Sequence, residues 1–112
     1  MGDLWHESLR IRDETDQALL DFIRTDLDVC LVFAKVAETA YSMGRREHGE
    51  RNIANAEKGY SDMLRYFLRA RGMTPEVEKE LKALFQQLRE RLDGLQATKV
   101  LVTAPIRLFR SP

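Results

Sequence analysis

The stretch TPEVEKELKALFQQLRERLDGL, residues 74–95, decides the fold. Thr74 is a helix N-cap, because its hydroxyl can accept one of the unpaired amide protons of the first turn. Pro75 sits at the first helical position, where its missing N–H costs nothing. Glu76 and Glu78 follow at the positive end of the helix dipole. Val77, Leu81, Leu84, Leu88, Leu92 and Leu95 then recur at steps of three and four, with Phe85 beside them. That spacing predicts an amphipathic helix with one face in a core. Glu78 and Lys82, four apart, support it. Asp93-Gly94 reads as its end.

Working toward the N-terminus, Arg69 and Arg71 lie just before Gly72, a combination that ends a helix. The apolar positions before it are Ile53, Ala56, Tyr60, Met63, Leu64 and Phe67, again at helical spacing. Ala54, Ala56 and Gly59 are small and predict a close approach of a neighbouring helix. The charged run Arg45-Arg46-Glu47-His48-Gly49-Glu50-Arg51-Asn52 is either the first turns of this second helix or a short helix end with a turn at Gly49.

Further upstream, a first long helix is predicted from Asp13–Asp16 to Met43, with Gly44 as its stop. Asp13, Thr15 or Asp16 could cap it. Its polar positions, Asp21, Arg24, Asp28, Lys35, Glu38 and Ser42, form one stripe that Val32 interrupts. The remaining surface is broadly apolar, so this helix is covered on more than one side. Residues 1–12 read as a lead-in helix anchored by Trp5, with Leu4 and Leu9 on its face. Residues 96–112 change character. Lys99-Val100-Leu101-Val102-Thr103 has strand propensity and Pro105 breaks a helix, so an extended tail is expected, packed across the bundle or added to a partner's edge.

The expectation is therefore a single all-α domain over 1–112: an antiparallel bundle of three main helices with a helical core at 13–95 and an extended C-terminal tail. A chain of 112 residues, 44% apolar and 32% charged, can bury a core without disulfides. Lys+Arg and Asp+Glu both total 18, so no global attraction to nucleic acid is expected. The charges are unevenly spread. Before Leu31 the acids Asp3, Glu7, Asp13, Glu14, Asp16, Asp21, Asp26 and Asp28 face only Arg10, Arg12 and Arg24, and after Gly94 there are only bases. The two ends of the chain should attract each other, within a protomer or between protomers. Cys30, the single cysteine, lies among apolar residues and suits a reducing, cytoplasmic setting. No signal-peptide pattern and no membrane-length apolar run is present.

From Ala37 to Leu68 the chain resembles a tetratricopeptide-repeat helical hairpin, carried by Ala40, Tyr41 and Gly44 on one helix, Gly49 in the connection, and Ala54 or Ala56 with Tyr60 on the next. No proline closes the unit near Leu68 and no second copy follows. The resemblance implies a helical interaction module whose groove grips a peptide or another helix.

Chemistry-bearing patterns are sparse. No Glu-x-x-His pair suits a di-iron bundle. One cysteine and two distant histidines do not make a zinc site, and no Gly-x-Ser-x-Gly or phosphate loop occurs. No cofactor, metal or catalytic residue is assigned. The function expected is a non-catalytic protein–protein interaction or self-association module, a homodimer foremost. Its candidate contact residues are Val29, Val32, Phe33, Val36, Arg45, Arg46, His48 and Arg51. Two alternatives stand beside it. One is a nucleic-acid-binding domain using Arg45, Arg46, Arg51, Arg65, Arg69 and Arg71. The other is a small helical nuclease with His48 as base.

Overall fold

The computed structural model describes the backbone of residues 2–103 and the side chains of residues 15–97. Three helices follow in order: α1 (Gly2–Ser42), α2 (Arg46–Arg69) and α3 (Pro75–Thr103). The connections are three residues (43–45) and five residues (70–74), which force neighbouring helices to turn back on each other. Two cross-helix ion pairs fix the directions. Arg24 on α1 meets Glu80 near the start of α3, and Glu38 further along α1 meets Arg91 further along α3. So α1 and α3 run the same way and α2 runs against both.

The first turn is a Schellman motif. Gly44 has φ +76°, its N–H bonds the carbonyl of Tyr41 at 3.1 Å, and the Arg45 N–H bonds the carbonyl of Ala40 at 2.8 Å. No Cβ is tolerated there without left-handed strain, so Gly44→Ala is expected to cost about 1–2 kcal/mol in chemical denaturation. The N-terminus of α3 is built as its sequence prescribes. The Val77 N–H donates to Thr74 Oγ1 at 3.2 Å, and the Glu78 N–H to the Thr74 carbonyl at 2.9 Å.

The core is a ladder of positions three and four apart. From α1 come Leu20, Ile23, Leu27, Cys30, Ala34 and Ala37; from α2, Ile53, Ala56 and Met63; from α3, Leu81, Phe85, Leu88, Leu92 and Leu95. Tyr60 and Phe67 meet Phe85 edge-on, with ring centroids 5.6 and 5.3 Å apart. The small residues of α2 let α1 come close. Ala56 is fully buried, and a Cβ built on Gly59 would overlap the Cys30 Sγ. Ala54, by contrast, is exposed. Gly59→Ala is therefore expected to destabilise despite its gain of about 1 kcal/mol in helix propensity. Much of that loss should return in Cys30→Ala/Gly59→Ala, where the sulfur is gone, giving a measurable coupling in a double-mutant cycle.

Three sequence expectations are corrected, and one open choice is resolved. The lead-in segment 1–12 is not separate, because α1 runs unbroken through Asp13–Asp16. The acids there are compatible with a helix interior, and no glycine or proline interrupts it. Of the two readings of residues 45–52, the structure shows the first turns of the second helix rather than a turn at Gly49. Gly49 lies inside α2, where the Tyr41 ring would stand 3.2 Å from its Cβ. Gly94 does not stop α3, since it has no positive φ and is followed by the buried Leu95. Finally, residues 96–103 are helix, not extended chain. Once Leu92 and Leu95 hold α3 in place, continuing it outweighs the weak strand preference of Val100 and Val102. The rest of the tail, with Ile106, Leu108 and Phe109, and the side chain of Trp5 lie outside the described residues.

Candidate functional site

The core-facing positions of α1 occupy one side of it, and a second apolar row runs along the far side. Phe22, Val29, Val36 and Met43 follow each other at seven-residue intervals, with Thr25, Val32 and Thr39 between them. The steps alternate three and four, as in the seam of a coiled coil. Not one of these seven side chains is charged. All are exposed, Val32 at 58% and Met43 at 62%. A helix in a three-helix bundle needs only one apolar face, so this second seam is surplus to the fold. Phe22 meets the exposed Tyr66 of α2 edge-on at 6.0 Å, which widens the apolar surface at one end.

At the other end the seam opens into a hollow of about 340 Å³. Val32, Val36, Thr39 and Met43 line it with Lys35, Ala40, Arg45 and His48. It lies beside the Schellman turn, where Arg45 and His48 come next to Val36, Thr39 and Met43. Its floor is apolar and its rim basic.

The structure thus brings Val32, Val36, Arg45 and His48 together, and places Val29 one turn along the same seam. Arg46 and Arg51 sit on the adjoining surface around Gly44, and Arg46 donates to Glu50 at 3.2 Å. Phe33 is the exception among the expected contact residues. It is half-buried against the core and borders a cleft with Asp26, Cys30 and Gly59 between α1 and α2. One residue's rotation, 100° on a helix, turns it from the outer seam toward α2.

Burial dominates the chemistry of Cys30. It pushes the thiol up to about 11, with Asp26 and Asp62 adding to the shift, so the sulfur stays protonated and unreactive near neutrality. The Tyr41 hydroxyl is buried without a hydrogen-bond partner among the described residues, and desolvation raises its pKa. Among the described residues no three His, Cys, Asp or Glu side chains cluster in a way that could hold a metal, and no helix is long and apolar enough to cross a membrane. The arginines of the proposed nucleic-acid track are partly engaged, Arg46 by Glu50 and Arg65 by Asp62.

A polar cluster that no local sequence signal marks ties α2 to α3. Arg89 donates to both oxygens of Glu57, at 2.9 and 2.6 Å, and to Asp93 at 2.9 Å, and it lies 5.0 Å from the centre of the Tyr60 ring. Hydrogen bonds to Glu57 hold its pKa above the usual value. Asp93 lies four residues from Arg89 on the same helix, whereas Glu57 lies 32 residues away on α2. Set against known proteins, the chain matches no family model, no curated protein and no solved structure.

Proposed function

We propose that this chain is a non-catalytic helical association module that uses the outer seam of α1 to pack against another helix. The observation that carries this reading is the second heptad row, uncharged over Phe22–Met43 and exposed, on a helix whose core-facing row is already satisfied. Large exposed apolar rows of this kind mark interaction surfaces. Self-association is the favoured form, since a seam with heptad spacing suits a helix of the same spacing. The test is the mass of the protein in solution, for the natural sequence and for Val32→Glu/Val36→Glu. A dimer that the double substitution dissolves supports the reading. A dimer that survives it places the interface elsewhere.

A further inference from the structure

Along the edges of the outer seam the charges are arranged in a way that selects both a partner and an orientation. Asp21, Asp28 and Lys35 precede the seam residues along one edge; Asp26, Phe33 and Ala40 follow them along the other. Asp28 and Lys35 are exposed, and neither has an ion-pair partner among the described residues. We infer that the seam is occupied by α1 of a second copy of this chain, running antiparallel about a two-fold axis close to Cys30 and Leu31. This rests on the reading of α1 as the association surface.

In a parallel pair of helices, each residue of the first edge faces the opposite edge of its neighbour five positions on. Asp21 would then meet the partner's Asp26, a like-charged contact, and Asp28 and Lys35 would meet the uncharged Phe33 and Ala40. In an antiparallel pair the first edge meets itself. With Val29 layered on the partner's Val32, Asp28 faces the partner's Lys35, and two-fold symmetry makes that pair twice. The same register layers Val36 on the partner's Thr25 and Phe22 on the partner's Thr39.

The experiment is a charge swap read by native mass spectrometry and sedimentation. Asp28→Lys and Lys35→Asp should each weaken self-association roughly tenfold, by turning two attractive pairs into repulsive ones. Mixed together, the two variants should form a heterodimer, because every pair across that interface is opposite in sign. Asp28→Lys/Lys35→Asp should return to within about threefold of the natural affinity. Both positions are exposed, so folding is not at issue. Nitroxide labels at Met43→Cys, with Cys30 buried and unlabelled, should lie roughly 37 Å apart along the pair at 1.5 Å per residue. Charge variants that leave the dimer unchanged, or labels about 10 Å apart as in a parallel pair, would overturn the antiparallel register while leaving self-association standing. A natural chain that never dimerises would overturn the self-association beneath it.

Discussion

Leu27→Ala is expected to cost about 3–5 kcal/mol in urea or guanidinium unfolding, at the upper end of the range for a single core truncation. Leu27 is fully buried at the middle of α1, among core residues from α2 and α3. Truncation removes the transfer energy of its methyl groups and leaves a cavity that three helices cannot all close at once. The total stability of a small domain is about 5–15 kcal/mol, so such a loss should shift the midpoint far and leave part of the population unfolded on warming. Leu27→Met, which keeps the volume, should cost less than about 1.5 kcal/mol. The contrast that isolates burial is Leu68→Ala. Leu68 is 74% exposed near the end of α2, and its truncation should change stability by no more than about 0.5 kcal/mol.

Val32→Glu/Val36→Glu should do the reverse, leaving the fold intact and abolishing association. Both valines are exposed, so each new carboxylate stays hydrated in the isolated chain, and the helical circular dichroism should be unchanged. In a dimer the same carboxylates would enter an apolar seam and lose their water, which is strongly unfavourable without a partner charge. A loss of self-association of a hundredfold or more is expected, measured as the dimer dissociation constant by sedimentation equilibrium. An equal loss of stability and association would instead mean that this face belongs to the core of the folded unit.

The helices were legible because their signals are local. Thr74-Pro75 and Gly44 act through hydrogen bonds within a turn, and the leucines of α3 keep a helical period whatever they pack against. The segment boundaries at Asp13–Asp16 and Gly94 were misplaced because capping residues and glycine only permit a helix end. Whether the end occurs depends on the turns beyond, and here the helix carries through both. The outer seam was half visible. Val32 stood out in the sequence as an interruption of the polar stripe, and the structure shows it as a member of an ordered row with Val29 and Val36. Phe33 could not be separated from that row by sequence, since nothing local says on which side α2 lies. Arg89 was invisible for the same reason. Its partner Glu57 is 32 positions away, on a helix whose register only tertiary packing sets.

The most direct test of α1 as a self-association surface is a native mass spectrum of the natural chain across micromolar concentrations. A species of twice the chain mass, falling to the monomer on dilution and absent for Val32→Glu/Val36→Glu, is the expected result. A monomer at every concentration would contradict it.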